Sequence, residues 1–284
     1  MHSKFPFFKQ YGKILSFCIA SIVGVLSFLP AQQSDFGSAS GVEGALIGIL
    51  YDLKQNQRGQ PSDVRGRKFR DVLGEFLASD WDESVLNRYF RVSRPVYATR
   101  IFIPIMRAEQ APASFGVADV VEPRLWAVHY KGQVAAPMDG VYRLAGYADD
   151  FIAARINSKT VLVHGRPDCI PQNFEWEPSA RSYGIRVGNG MVRYGQWISL
   201  KRGEVIDLDV LVAERPGGAF GAWLFIQREG ESYPERRGRP ILPIFQLSGG
   251  AVETTANSGN RSSGRRGVQV NSQPRESSVW KGVR

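Results

Sequence analysis

The sequence predicts an all-β protein, a β-sandwich of antiparallel strands, and three features of its 284 residues carry this prediction. Most apolar segments are short and are separated by turns, in a chain with 30 glycines and 16 prolines. In Val205–Ala213 an apolar set alternates with a mixed set, as expected of a strand that covers a core on one side. Helical spacing of apolar residues is confined to one region, which indicates a short helical insertion.

The N-terminus has the order of a secretory signal. Three lysines, Lys4, Lys9 and Lys13, precede the apolar run Ile14–Leu29, and Pro30 and Ala31 follow it. The run has sixteen residues, fewer than the roughly 20 that a membrane span needs. We therefore predict an N-terminal signal helix in a signal peptide at 1–31, with an uncleaved anchor as the alternative. Export would place the protein in the periplasm, on the cell surface or outside the cell.

The positive charge lies mostly at the two ends of the chain. Of the formal net charge of +9, residues 1–31 carry +3 and residues 250–284 carry +4, which leaves +2 for the rest. A nucleic-acid-binding domain concentrates basic charge on its folded part, so nucleic acid is not an expected partner. Residues 250–284 are rich in Ser, Gly, Asn and Arg, a composition that predicts a disordered tail.

The first half of the predicted domain combines strands with the helical insertion. Residues 32–43 are expected to be a linker, and Gly44–Tyr51 is a buried apolar run. Within an insertion at 63–91, helical spacing predicts one amphipathic helix, and Asp80 with Glu83 predicts the capped start of a second. The apolar residues of the first helix are Phe69, Val72, Leu73, Phe76 and Leu77.

The rest of the predicted domain, which ends at residue 249, is nearly all strand and turn. A strand at Val96–Ile103 leads into a Pro/Ala-rich loop that runs to Val117. The later predicted strands are Leu125–Tyr130, Gly140–Tyr147, Phe151–Asn157, Thr160–Val163, Tyr183–Val187, Gln196–Leu200, Val205–Ala213, Ala222–Arg228 and Ile241–Leu247.

Catalytic patterns are scarce. Export would leave Cys169 as the one cysteine, so no disulfide is expected within the chain, and a buried thiol is the preferred interpretation. His129 and His164 would be the remaining histidines, and His129, in a strand, is expected to be packed or hydrogen-bonded. Metal hydrolysis normally needs histidine ligands at usable spacing. No nucleophile elbow, phosphate loop or CxxC motif occurs. We predict that the protein is not an enzyme.

Asp149 and Asp150 stand side by side between two predicted strands, at the edge of the sandwich. Adjacent carboxylates about 4 Å apart repel by roughly 4 kcal/mol at an effective dielectric constant of 20. A hard cation such as calcium would reverse the sign of this interaction. The alternative is that Asp150 caps the turn through backbone N–H groups while Asp149 pairs with Arg155. A catalytic pair is disfavoured, because neighbouring strand residues point to opposite faces.

The region around this pair resembles the PA14 domain family over about residues 44–229, most strongly at 125–157. The residues in step with the family pattern are Gly132, Pro137, Gly140, Tyr142, Asp149, Asp150 and Ile156. The resemblance implies a PA14-like β-sandwich and a non-catalytic module for carbohydrate binding or adhesion. It also implies that Asp149 and Asp150, joined by a cis peptide bond, hold a possible calcium ion that orients sugar hydroxyls.

The loop at 213–222 departs from the family pattern, because it lacks the asparagine that sugar-binding members use as a further ligand. Glu214 is the candidate substitute, whereas Arg215 would oppose a cation. Trp176 and Phe220 are candidates for stacking on sugar faces.

Two functional hypotheses therefore stand. The first is an exported glycan-binding module with Asp149, Asp150 and Glu214 in its site. The second is a structural or assembly subunit of the cell envelope, whose helical insertion and basic tail contact partner proteins. Membrane contact is expected only through an uncleaved signal segment.

Overall fold

The computed structural model describes residues 33–177, 183–188, 190–248 and 276–283. The predicted signal peptide and residues 250–275 of the predicted tail lie outside these ranges. The described strands, in chain order, are β1 Gln33–Ser34, β2 Gly37–Ser38, β3 Leu46–Asn56, β4 Tyr89–Arg91, β5 Val96–Ala98, β6 Phe102–Arg107, β7 Trp126–Ala135, β8 Gly140–Asp149, β9 Phe151–Ile156, β10 Lys159–Gly165, β11 Tyr183–Val187, β12 Gly190–Tyr194, β13 Ile198–Leu200, β14 Val205–Glu214, β15 Ala219–Arg228, β16 Glu235–Arg236, β17 Arg239–Pro240, β18 Gln246–Ser248 and β19 Val279–Val283. The described α-helices are α1 Arg67–Ala78, α2 Glu83–Leu86 and α3 Gln110–Ser114.

Two sheets form the body of the protein. In the large sheet the strand order is β1-β2-β5-β3-β7-β14-β9-β10, with β4, β18 and β19 attached beside this path. In the small sheet the order is β11-β12-β8-β15-β6, with β13 beside β8. Of the described strand pairs, β18 with β19 is parallel and the others are antiparallel. The predicted all-β sandwich is confirmed.

The main core lies between the two sheets. The alternating side chains of β14 illustrate how one strand contributes to it. Ile206, Leu208, Val210 and Val212 all face this core, while Leu211 belongs to a second apolar cluster beneath the helical insertion. A strand's side chains alternate between its two faces, so one strand serves both clusters. Burying each large apolar side chain contributes about 1.5–3 kcal/mol.

The helical insertion covers the outer face of the large sheet. The five predicted apolar residues of α1 are all buried in the second cluster, together with Trp81. The second helix begins later than predicted. Its N-cap is Asp82, whose side chain accepts a hydrogen bond from Ser84 N at 2.9 Å. Asp80 instead has a positive φ of 57° and its carboxylate pairs with Arg155.

A buried polar network ties the insertion to the sheet. His129 on β7 is 2% exposed, and its Nε2 lies 2.8 Å from Asp209 Oδ1 on β14. Its Nδ1 lies 3.5 Å from Glu83 Oε1 at the start of α2. Burial alone would lower the pKa of His129, but hydrogen bonds to Asp209 and Glu83 outweigh burial and hold this pKa above its ordinary value. The expectation of a hydrogen-bonded histidine is confirmed.

Replacing His129 with leucine is expected to lower the free energy of unfolding by about 1–3 kcal/mol, because two carboxylates lose a partner. Since the folded-state pKa is raised, the contribution of His129 is fully present below the unfolded-state pKa and is lost as pH rises through the folded one. Urea unfolding from pH 6 upward measures both effects. Lys159→Gln, at an exposed position on β10, is the control. A loss of stability that is the same at every pH would contradict this electrostatic role.

The C-terminal end of the predicted tail is part of the fold, which corrects the prediction of disorder there. After a short 3₁₀-helix at Glu276–Ser278, β19 pairs with β7, with Lys281 opposite Ala135 and Val283 opposite Gln133. Trp280 is 1% exposed, with its ring 5.3 Å from Tyr142 and 5.5 Å from Phe245. Trp280 therefore completes the main core from the far end of the chain.

Gly282 fits beside Gly44 only because both lack a side chain. A Cβ added at Gly282 would lie 1.7 Å from the Gly44 carbonyl oxygen. Gly44 also has a φ of 71°, which disfavours other residues. These two glycines let β19 occupy the position in the sheet that continues from β3.

The predicted linker at 32–43 is also wrong in part. Residues 33–38 form a hairpin of β1 and β2, and Phe36 at its turn is 1% exposed. The Phe36 ring packs against Phe115, Trp126 and Phe220. One buried aromatic side chain thus anchors a segment whose composition resembles a linker.

Several local boundaries differ from the predicted ones. The predicted strand Val96–Ile103 is divided between β5 and β6, which lie in different sheets, and α3 forms within the predicted Pro/Ala-rich loop. The predicted strand Ile241–Leu247 is reduced to β18, which pairs with β19. Strand β12 was not predicted.

Candidate functional site

Asp149 and Asp150 lie where the chain crosses from one sheet to the other. Asp149 ends β8 in the small sheet, and Phe151 begins β9 in the large sheet. Asp150 alone connects the two strands, so the predicted short connection is present. The peptide bond between the two aspartates is cis, as the resemblance implied.

The two aspartates have different surroundings. Asp150 is 1% exposed, while Asp149 is half-buried. Asp150 Oδ2 accepts a hydrogen bond from Arg215 N at 2.9 Å, and its Oδ1 lies 3.3 Å from Arg166 Nη1. Asp150 thus accepts a backbone N–H group, as the capping alternative required, but that group comes from the loop after β14 rather than from its own turn.

The predicted pairing of Asp149 with Arg155 is wrong. The Arg155 guanidinium lies on the other face of β9, where it donates to Asp209 Oδ2 at 3.1 and 2.9 Å and contacts Asp80. Residues 149 and 155 are on strands of different sheets, so a short sequence separation does not bring their side chains together.

Glu214 completes a cluster of three carboxyl groups. It ends β14 opposite Trp126 on β7 and is fully buried. Its Oε1 accepts a hydrogen bond from Gly217 N at 2.6 Å, whereas its Oε2 has no hydrogen-bond partner within the described part of the chain. Glu214 therefore lies beside the aspartate pair, where a substitute for the asparagine of the 213–222 loop was expected. Its role as a ligand stays a prediction.

Burial and mutual repulsion raise the pKa of two of these groups. Desolvation is the main cause of the raised pKa of Glu214, and the negative charges of Asp150 and Asp149 add to it. The pKa of Asp150 is raised for the same reasons, against the opposing effects of the Arg215 N–H group and the Arg166 guanidinium. The site therefore favours protons or another positive partner.

Two arginines surround the cluster in roles that the sequence did not show. The Arg215 guanidinium turns away from the cluster and pairs with Asp168, so only its backbone N–H group faces Asp150. Arg166 is the positive group beside Asp150, and its side chain is 46% exposed. Arg166 and Asp168 reach the site because β10 pairs with β9, with Gly165 opposite Phe151. No local sequence signal marks them.

The two predicted stacking residues are not equivalent in the structure. Phe220 is fully buried against Phe36 and Trp126, so it cannot stack on a sugar, and this prediction is wrong. Trp176 is half-buried at the side of the cluster under the insertion, with the Arg193 guanidinium carbon 5.7 Å from its ring centre. The stacking role of Trp176 stays a prediction.

Cys169 and His164 lie near the site without a catalytic arrangement. The Cys169 thiol is buried, and desolvation raises its pKa to about 12, which disfavours the reactive thiolate. Burial and the positive charge of Arg193 lower the pKa of His164 to about 4. A buried, unreactive thiol is what the sequence predicted.

The described residues contain no group of three or more His, Cys, Asp or Glu side chains that could hold a metal ion. The three carboxyl groups around Asp150 are therefore not a complete ligand set for a metal ion. In the described ranges, no helix has the length and apolar character needed to cross a membrane.

The fold and the site define an all-β sandwich with a carboxylate cluster at the crossover between its sheets. No protein-family model matches the sequence, and no curated protein matches it either. Among solved structures, the chain is similar to a PA14 sugar-binding domain from an RTX adhesin, at 14% identity and a TM-score of 0.41, over 68% of this chain and 94% of that one.

Two further solved structures show similar values. The A domain of epithelial adhesin 6 from Candida glabrata, in complex with Galb1-3GlcNAc, is 11% identical with a TM-score of 0.36, over 69% of this chain and 84% of that one. A beta-glucosidase from Kluyveromyces marxianus, in complex with glucose, is 16% identical with a TM-score of 0.34, over 63% of this chain and 15% of that one. Likeness at this level carries no information about ligand or activity.

Proposed function

We propose that this protein is an exported, non-catalytic module that binds carbohydrate at the crossover between its sheets. The observation that carries the proposal is the carboxylate cluster, in which buried Asp150 and Glu214 stand beside half-buried Asp149. Glu214 Oε2 is buried and receives no hydrogen bond from an N–H or hydroxyl donor in the described ranges, while the Asp150 side chain lies at hydrogen-bonding distance from the Glu214 carboxyl group. A buried oxygen without a donor costs free energy in the unbound protein, and folded proteins usually provide a hydrogen bond for each buried polar group.

Sugar hydroxyls suit this cluster because they donate hydrogen bonds to carboxylates. The half-buried Asp149 is accessible from solvent, and the exposed part of Arg166 adds donors next to it. Planar carboxylate and guanidinium groups can each bind two neighbouring oxygens. The arrangement supports recognition of adjacent hydroxyl groups.

Calcium is part of the proposal as an assisting ion. Asp149, Asp150 and Glu214 offer carboxylate oxygens, which calcium prefers, and the burial and mutual repulsion of Asp150 and Glu214 favour a positive ion beside them. Calcium takes about 6–8 oxygens, so these side chains would leave positions for water, backbone and sugar oxygens. When bound, the ion would neutralise the repulsion among the carboxylates. Arg166 competes with it for Asp150.

The competition with Arg166 leads to a testable prediction. Wild-type protein is expected to show a higher Tm in calcium than in chelator, and Arg166→Ala is expected to enlarge this difference because the rival cation is gone. Asp150→Asn should abolish the difference, and Asp119→Asn, at an exposed site with no partner among the described residues, is the matched control. Equal Tm values in calcium and chelator for both wild type and Arg166→Ala would remove calcium from the proposal.

Glycan-array binding tests the carbohydrate ligand separately. Wild type is expected to retain specific glycans, and Asp150→Asn is expected to lose at least about tenfold in affinity, with Asp119→Asn unchanged. Retention of no glycan by folded wild-type protein, with and without calcium, would contradict the proposed function.

Parts of the two segments on which the assembly hypothesis depended belong to the fold itself. The apolar side of α1 is buried against its own sheet, and residues 279–283 of the basic tail form β19. Contact with a cell-envelope protein through the remaining surface of these segments stays the alternative proposal.

A further inference from the structure

A polar cavity lies away from the carboxylate cluster. Its volume is about 510 Å³, and it is lined by residues of β1, β2, β5, β6 and α3. In the strand order of the large sheet, β1, β2 and β5 lie at one end, and β6 is the edge strand of the small sheet. None of the cluster residues Asp149, Asp150 or Glu214 lines it. The cavity falls within the range of about 300–1,000 Å³ that is typical of small-molecule sites.

Six polar side chains around this cavity have no hydrogen-bond or ion-pair partner among the described residues. They come from three separate segments of the chain and are Gln33, Asp35, Tyr97, Thr99, Arg100 and Gln110. By contrast, two other lining residues are engaged locally, since Ser34 Oγ donates to Gly37 O at 2.9 Å and Ser114 Oγ donates to Gln110 O at 2.7 Å.

The chemistry of the six groups indicates the class of ligand. One carboxylate and one guanidinium cancel in formal charge, and two amides, a phenol and a hydroxyl are neutral groups that both donate and accept. Half-buried Phe102 and Met106 add apolar surface to the lining. A neutral ligand with many hydroxyl groups and an apolar ring face matches this mixture, because its hydroxyls also both donate and accept.

We propose that this cavity is a second binding site, for a small neutral sugar or similar polyol. The site stands independently of the Asp149–Asp150 cluster and shares none of its residues. Arg100 and Gln110 are the selecting groups, since both are exposed and line the cavity from separate segments, the connection between β5 and β6 and the first residue of α3. Their truncation removes ligand contacts without removing core packing.

Titration of the full-length, ¹⁵N-labelled protein with D-glucose, D-galactose and N-acetyl-D-glucosamine, followed by NMR, tests the proposal. At least one sugar is expected to cause saturable shifts in the amide signals of Thr99, Arg100 and Gln110. The double variant Arg100→Ala/Gln110→Ala is expected to weaken this binding at least about tenfold. Arg94→Ala, which removes an exposed arginine outside the cavity, is the matched control and should bind normally.

Two outcomes would overturn the proposal. One is the absence of saturable shifts at these amides with all three sugars. The other is saturation by L-alanine instead of a sugar, which would make the site one for zwitterions. The Asp150→Asn variant separates this site from the proposed function, because it should leave the shifts around Arg100 unchanged even where glycan-array binding is lost.

Discussion

Replacing Glu214 with glutamine is expected to stabilise the protein in chelator at neutral pH by about 1–3 kcal/mol. The glutamine carbonyl can still accept the hydrogen bond from Gly217 N, and its amide places a donor where Oε2 now lacks a partner. At neutral pH the folded protein holds a proton on Glu214 that the unfolded chain would release, and glutamine removes the cost of taking up that proton. A stabilising substitution at a buried charged position is unusual, since most substitutions destabilise.

The pH dependence of this effect follows from the raised pKa of Glu214. The pKa of Glu214 is higher in the folded state than in the unfolded state, so the folded state holds the proton more tightly. The free energy of unfolding therefore falls as pH rises from about the unfolded-state pKa through the folded-state pKa. Wild-type protein is therefore expected to lose stability over this window, and Glu214→Gln should lose less.

Urea unfolding in chelator between pH 4 and pH 9 measures both effects. Glu229→Gln is the matched control and should leave stability unchanged, because Glu229 is an exposed glutamate directly after β15. A Glu214→Gln variant that is less stable than wild type at pH 7 would mean that the charge of Glu214 is satisfied in the folded protein. In calcium, the proposed ion would reverse the order, because wild type would gain a ligand that the variant binds less well.

Truncating Trp280 to alanine is expected to cost about 3–5 kcal/mol of stability, the range found for large aromatic residues in cores. The ring fills space between Tyr142 of the small sheet and Phe245, and it is 1% exposed. Its loss would leave a cavity between the sheets and weaken the pairing of β19 with β7. For a domain with ordinary stability of about 5–15 kcal/mol, this is a large fraction.

Lys281→Ala, the next residue on the same strand, is the matched control, because its side chain is exposed. Its effect should stay within about 0.5 kcal/mol, as is usual for surface substitutions. Equilibrium unfolding in guanidinium chloride compares the two variants. If Trp280→Ala changed stability no more than Lys281→Ala, β19 would not be part of the stable fold.

Local patterns in the sequence determined much of the architecture. Alternation predicted β14 and its buried face, helical spacing predicted α1, and the glycine- and proline-rich turns predicted the order of most other strands. These signals work because side-chain direction in a strand or helix depends only on the position within that element. The Asp149–Asp150 connection was found in the same way, since it falls between two recognisable strands.

Tertiary structure alone decided which groups meet at the carboxylate cluster and at the Trp280 end of the main core. Arg215 N reaches Asp150 across 65 residues of sequence, and Arg166 arrives because β10 pairs with β9. Trp280, in a segment with a disordered composition, enters the core because β7 has an unpaired edge beyond β3 that β19 fills. Such contacts depend on which strands become neighbours, and strand pairing depends on the free energy of the whole fold, which no local pattern records.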